Sequence, residues 1–477
     1  MLATWIAFLL YAAAAISLGW VAHRRHESGA AYWTAGRSLG AASVGLSISA
    51  GFLSVSWSCV YAVQLFYWYG LGAIWLITVP WIIALAGIYW LAGRYHDLPA
   101  FSQPEMVGTR FGRGARRIVA LALAFVFLVW GGAEIYVAAI LLSPMMGLSG
   151  ATMILLISLV VGIYATLGGF RAVVNTDKLQ YTIVVLFILA MAWLAGQGLQ
   201  DTAETLEGVE LIGAKSGQRW DAWLAPGLLT ILLTLAAYLP GWVFETDLWL
   251  RVQAARDPRA ARRGVLLAAL NGLLFVGLLP MFIGIAALAI FPAGDGQFPA
   301  IVGNEGDAIF AALVQSFAPA WLQIGVAVGL VAAAMSTIDT CSNVMALSVA
   351  YDLLELHEKP HSGRASQAVT AASVVAACLF ALNTESLWDI FYLSSGILTT
   401  TVAFPVAAVF LPWAKPRTVR WSAAAGFAGT IIAYVLESRG ALAALQPAAL
   451  TGSGLAFIFW GILAAAAGAL LGQLSSK

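Results

Sequence analysis

Charge is what this sequence has least of. Of its 477 residues only 10% are charged, against roughly 25% in an average soluble domain, and 61% are hydrophobic. That scarcity excludes a water-soluble globular chain. With a net charge of +1 it also leaves no basic surface for nucleic acid. Cysteine is scarce too. Cys59, Cys341 and Cys378 sit far apart inside apolar stretches, which excludes a disulfide framework or a cysteine zinc site, and they read as small buried apolar residues. No nucleophile–base set or metal-ligand spacing occurs, so an enzyme is the least expected class. The first apolar stretch has no basic segment before it and ends in His23-Arg24-Arg25-His26, which marks a retained helix rather than a cleaved signal peptide.

What the chain has instead is apolar runs long enough to cross a bilayer, which takes about 20 residues. Thirteen are expected, at 3–22, 41–66, 71–93, 118–142, 150–166, 177–199, 226–250, 264–291, 322–350, 365–384, 387–412, 420–436 and 452–472. Threaded with the N-terminus outside, they leave only Lys215, Arg219 and Arg439 of the 24 basic residues outside. The positive-inside bias therefore predicts that orientation, with Lys477 in the cytoplasm. The expected setting is a plasma membrane, a bacterial inner membrane in particular, crossed many times. Loops are expected at 94–117 inside and at 200–225 and 292–321 outside, with a short helix over 307–315. The basic run Arg251–Arg263 reads as a cytoplasmic loop.

With the first span set aside, spans two to six and seven to eleven form two groups of five with opposite orientation. That is the layout of an inverted-topology repeat, in which the first helix of each half is often broken at the binding site. It divides the chain into an extra N-terminal helix (1–40), a first repeat (41–200), a second repeat (201–412) and two C-terminal helices (413–477), all in one membrane domain. Ser49-Ala50-Gly51 interrupts the first helix of one half and Leu239-Pro240-Gly241 that of the other. A Pro-Gly pair removes backbone hydrogen bonds and frees carbonyls to face a ligand.

Within the spans the charged residues are nearly all acidic: Glu134, Asp177, Glu245, Asp247, Asp339 and Asp389, with Lys178 at a cytoplasmic edge. A carboxylate at mid-bilayer costs at least ~2.5 kcal/mol, so each needs a partner. With no buried Lys or Arg expected, that partner is a mobile cation, a proton or a hydrogen-bond donor. The run Ala332-Ala333-Ala334-Met335-Ser336-Thr337-Ile338-Asp339-Thr340 concentrates oxygens in an apolar helix, and such oxygens suit a hard cation. Ser336 and Asp339, three apart, share a helical face.

Three stretches resemble the sodium:solute symporter family: Gly168-Gly169-Phe170-Arg171-Ala172-Val173-Val174-Asn175-Thr176-Asp177-Lys178-Leu179-Gln180; Ala333 to Thr337 with the following Tyr351-Asp352; and Ser102-Gln103-Pro104-Glu105…Arg110-Phe111. The resemblance implies an all-α membrane protein with a LeuT-like five-plus-five inverted-repeat core, working as a symporter that couples sodium to import of a small polar organic solute by alternating access. It transfers the main sodium site to the carbonyls of Ala50, Leu53 and Ala333 and the hydroxyls of Ser336 and Thr337. A second cation or proton site would involve Asp177, Asp339 and Thr340, with Asp339 standing where relatives carry Ser. The solute pocket would take Ser54, Ser56 and Trp57, Glu134 and Tyr136, Tyr238, Pro240, Gly241 and Trp242, and Tyr392. The family's proline-type Asp is replaced by Phe52, and Glu245 and Asp247 stand where sugar-type members place amides, so neither substrate carries over. The expected partners are sodium, a small solute and the lipid bilayer, and nothing in the sequence specifies an oligomeric state. A proton-coupled symporter and a solute sensor without net transport are the rival expectations.

Overall fold

In this computed structural model the described residues are 2–23, 37–98, 100, 102–202, 210–294, 297–356, 362–384, 386–451 and 453–475. Among them the secondary structure is helical apart from three isolated bridges. The helices are α1 (Leu2–His23), α2 (Ala41–Phe52), α3 (Val55–Trp75), α4 (Thr78–Asp97), α5 (Gln103–Phe111), α6 (Arg113–Met146), α7 (Gly150–Thr202), α8 (Leu228–Trp242), α9 (Thr246–Gln253), α10 (Pro258–Ile290), α11 (Ile309–Phe317), α12 (Ala320–Leu353), α13 (Ser362–Ala381), α14 (Leu387–Ala408), α15 (Pro416–Ser438) and α16 (Ala456–Leu474). Among the described residues eight helical stretches are long and apolar enough to cross a membrane, nine if α2 and α3 form one bent span. Shorter apolar helices, Leu2–Ser17, Gly150–Ile163 and Gln367–Ala381, occupy three more of the expected positions. Between Gly150 and Thr202 the helix is unbroken, so residues 167–176, which separate the expected spans 150–166 and 177–199, are helical. The side chains of Gly168–Val173 and of Asn175 in the first family motif, like residues 24–26 after α1, lie outside the described residues.

Apolar side chains such as Leu9, Leu10, Leu186, Leu470 and Leu474 are exposed, which suits a surface bathed in lipid. Buried glycines let helices approach where no aqueous driving force packs them. A Cβ added at Gly461 of α16 would lie 2.3 Å from Thr430 Oγ1 of α15, and one at Gly264 of α10 would lie 2.6 Å from Val44 of α2.

The two broken helices are tied together at one end. Leu39 donates to Ala254 O at 3.0 Å, and Arg256 returns a bond to Leu39 O at 2.8 Å, joining the entry to α2 with the exit of α9. The family stretches at 102–111 and 351–352 interlock. Ser102 caps α5 in a reciprocal box with Glu105 and donates to Asp352 Oδ1 at 2.7 Å, while Arg116 pairs with Asp352 at 3.0 Å. All three cysteines are free and buried, as expected. The outer-loop helix expected over 307–315 is α11.

Candidate ion and solute site

The α2–α3 break bends the chain by 64°. Leu53 leaves helical geometry at ψ 58°, and Ser54 is extended and accepts the Trp57 N–H at 2.8 Å, capping α3. A seven-residue π-turn, Val55–Tyr61, follows; such turns mark functional positions in helices. Glu134 of α6, fully buried, accepts the Ser56 N–H at 2.7 Å, so a carboxylate sits against the positive end of α3.

The hydroxyls of α12 meet this break. Ser336 Oγ lies 3.1 Å from Ala50 O and 2.9 Å from Ala333 O. Thr337 Oγ1 lies 3.3 Å from Gly51 O and 3.4 Å from Ala333 O. Four of the five residues expected at the main cation site thus converge: two adjacent hydroxyls, the Ala333 carbonyl of their own helix and the Ala50 carbonyl of a separate one. Leu53 is fully buried at the break, but the second α2 carbonyl reaching α12 belongs to Gly51. The set is neutral and hard, the donor chemistry of a weakly held alkali cation.

One helical turn along, the arrangement departs from expectation. Arg251, assigned above to a cytoplasmic loop, is 1% exposed and reaches back into the protein. Its guanidinium pairs with Asp177 at 3.6 Å and Asp247 at 3.3 Å, and donates to Ser47 Oγ and Thr340 Oγ1, both at 2.9 Å. Ser47 also bonds Asp177. The premise that no buried basic side chain serves the acids is therefore wrong. Asp177 and Thr340 come together around the chain's own cation. Asp339 is buried on the same helix.

The second break falls four residues later than expected. Pro240 and Gly241 remain inside α8, Pro240 is exposed, and the chain turns at Val243–Glu245. The helix survives because Thr399 of α14 inserts its hydroxyl into the ladder, accepting the Gly241 N–H at 3.0 Å and donating to Ala237 O at 2.6 Å. A side chain so placed replaces one i→i−4 bond and allows a bend. Thr399 belongs to a second π-turn, Leu398–Ala403.

Between the breaks lies a cavity of about 70 Å³ lined by Gly51, Phe52, Ser54, Ser56, Trp57, Trp81, Trp130, Trp242, Glu245, Thr337, Phe391 and Ser395. Of the expected pocket residues, Ser54, Ser56, Trp57 and Trp242 line it. Glu134 stands behind Ser56. Tyr238 and Tyr392 form a layer outside it, Tyr238 stacking on Trp242 at 4.1 Å and on Tyr392 at 5.0 Å, and Tyr392 bonds Thr234 at 2.6 Å. Gly241, Tyr136 and the exposed Pro240 are not on its wall. Trp81, Trp130, Phe391 and Ser395 were missed. The Ser394-Ser395…Thr399-Thr400-Thr401 run inside an apolar span was the available signal for α14; the Trp81 and Trp130 rings carried none. Thr337 lines the cavity and faces Gly51, so the ion cage and the cavity share residues.

Beyond Tyr392 the rings of Trp388 and Trp68 continue the aromatic column, at 4.4 and 6.0 Å. Lys215 closes it, 3.9 Å above the Trp68 ring and 3.0 Å from Glu305. The Glu305 carbonyl takes the Trp68 indole N–H at 2.6 Å, pinning the loop to α3.

The family profile of the sodium:solute symporters matches residues 32–412. The chain is 26% identical over 420 residues to a sodium/glucose cotransporter of Vibrio parahaemolyticus, covering 78% of this chain and 74% of the relative. It is 27% identical over 372 residues to a sodium/proline symporter of Salmonella typhimurium, covering 73% and 70%. A solved Na+-coupled sialic acid symporter, in a substrate-bound outward-open state, superposes with a TM-score of 0.72 at 16% identity, covering 99% of this chain and 98% of the other. Its fold, LeuT-like as the sequence implied, is the fold of this chain. A match over most of the sequence, together with hydroxyls of α12 facing a broken α2, places sodium-coupled solute symport in this molecule: the chain belongs to the sodium:solute symporter family.

Proposed function

We propose that the protein imports a small polar organic solute by holding sodium among Ala50, Leu53, Ala333, Ser336 and Thr337, with Gly51 adding a carbonyl, and the solute in the cavity beside them. The observation that carries this reading is the pair of contacts Ser336–Ala50 and Thr337–Gly51, made across two separate helices at the edge of that cavity. An ion in the cage would hold α2 and α12 together and fix the wall of the solute site. It would thereby favour the state that admits solute, by as much as its affinity differs between the two states.

In this reading the two halves are 41–200 and 201–412, the N-terminus is outside and the C-terminus cytoplasmic in a bacterial inner membrane, and the aromatic column to Lys215 is the closed outer path. The place of a second cation near Asp177 and Thr340 is taken by the Arg251 guanidinium, so one sodium travels per solute. Purified protein in proteoliposomes tests the reading. An inward sodium gradient should accumulate a solute drawn from a thermal-shift panel, and a potassium gradient should not. Equal accumulation in sodium-free buffer driven by a pH gradient would overturn it.

A further inference from the structure

The cavity wall is specific about charge. Trp57, Trp81, Trp242 and Phe391 crowd one another, with Trp57–Trp242 centroids 5.1 Å apart, Trp81–Trp242 5.3 Å and Trp57–Phe391 4.9 Å. Ring faces carry negative potential and attract cations, most strongly when water is excluded. The one charged side chain on the wall is Glu245, 8% exposed, and its Oε2 has no hydrogen-bond partner among the described residues. Its carboxyl lies directly beside that of Asp247, and two buried carboxylates side by side call for positive charge.

The Arg251 guanidinium is near enough to act on Glu245 electrostatically, but its ion pairs go to other carboxylates. Arg251 is shared by Asp177 and Asp247, and it is the only basic side chain buried among the described residues. Asp247, two residues on, adds a second carboxylate beside Glu245 rather than a positive charge.

An anionic solute, conversely, finds nothing to hold it. In broken-helix transporters the N-terminus of the half-helix commonly receives the anionic group of the substrate. Here the chain fills that position itself: Glu134 takes the Ser56 N–H and Ser54 takes the Trp57 N–H. No Lys, Arg or His lines the cavity.

We propose that the transported solute carries an alkylated ammonium group, seated against Trp57, Trp81 and Trp242 with the Glu245 carboxylate as its counter-ion. The inference rests on the cavity being the transport site proposed above.

The test uses the purified full-length protein in sodium buffer and reads binding from quenching of tryptophan fluorescence. The probes are choline, its uncharged isostere 3,3-dimethylbutan-1-ol, and propionate. Choline should bind at least ~10-fold more tightly than the isostere, which corresponds to about 1.4 kcal/mol, and propionate should not bind. Glu245→Gln should collapse that ratio by weakening choline alone. If the variant fails to fold, the wild-type comparison of choline with its isostere decides the matter unaided. Equal affinities, tighter propionate binding, or no choline binding would overturn the inference. The failure modes separate on one control, the stabilisation of wild type by sodium without solute. Its absence removes the symport reading itself, whereas its presence without a cation preference removes only the solute class.

Discussion

Replacing Arg251 with Met should be among the most damaging single changes outside the ion cage. Two carboxylates lie 3.3 and 3.6 Å from its guanidinium, and all three groups are buried. At an effective dielectric of ~20 each attraction is about 5 kcal/mol before desolvation is subtracted. Net values are smaller, because the pair has already lost its hydration. Removing one partner of a buried pair nevertheless costs about 3–5 kcal/mol, since the surviving charges stay buried and uncompensated. Arg251→Met should therefore lower the free energy of unfolding in detergent, measured by denaturant titration, by about that amount. Neutralising all three groups in Arg251→Met/Asp177→Asn/Asp247→Asn should recover most of the loss, because the penalty lies in the orphaned charges. The single variant should also be stabilised by sodium more than wild type is, since the ion can stand where the guanidinium stood. A single variant as stable as wild type, or a triple variant no better than the single, would refute the argument.

Three further outcomes follow from particular contacts. Thr399→Val should cost about 1–3 kcal/mol, because the Gly241 N–H and Ala237 carbonyl both lose the inserted hydroxyl, and Thr399→Ser should restore it. Gly241→Ala should cost about 1–3 kcal/mol by overpacking, its Cβ meeting Leu398 Cβ at 2.8 Å; a neutral result in the same titration would show that α8 and α14 are free to separate. Asp307, in the loop before α11, is raised to about 6 by burial. The folded protein therefore holds its proton more tightly than the unfolded chain. The resulting destabilisation is absent below the ordinary carboxylate range and complete above about pH 6. Thermal midpoints should rise from pH 7 to pH 5 more in wild type than in Asp307→Asn, and parallel pH profiles would contradict this.

The hydroxyl run on α12 and the break in α2 were legible in the sequence, because hydroxyls have few uses inside an apolar helix and a broken helix leaves carbonyls free, but the candidate cage residues came from the family resemblance. Ser336, Thr337, Ala333 and Ala50, named by that resemblance, do come together in the structure. The identity of the second α2 carbonyl needed tertiary information, since Gly51 and Leu53 differ only in which way the turn rotates them. Arg251 was misread because it follows an apolar stretch and opens a basic run, and the positive-inside rule assigns such residues to a loop. Nothing local reveals that α9 turns its last basic side chain inward. The position of the second break is set by Thr399, which lies more than 150 residues away from Gly241. Pro240 alone could not locate it. The rings of Trp81 and Trp130 belong to the cavity by helix rotation, which apolar spans do not encode when every face of the helix is hydrophobic.

Whether oxygens from α2 and α12 jointly bind sodium is tested most directly by equilibrium binding of radioactive sodium to purified protein. Wild type should bind one ion, and Ser336→Ala/Thr337→Ala should bind it at least ~10-fold more weakly, a loss of about 1.4 kcal/mol or more. The variant's folded state would be checked in parallel by its elution as a single species. Undiminished sodium affinity in a folded double variant would contradict the account.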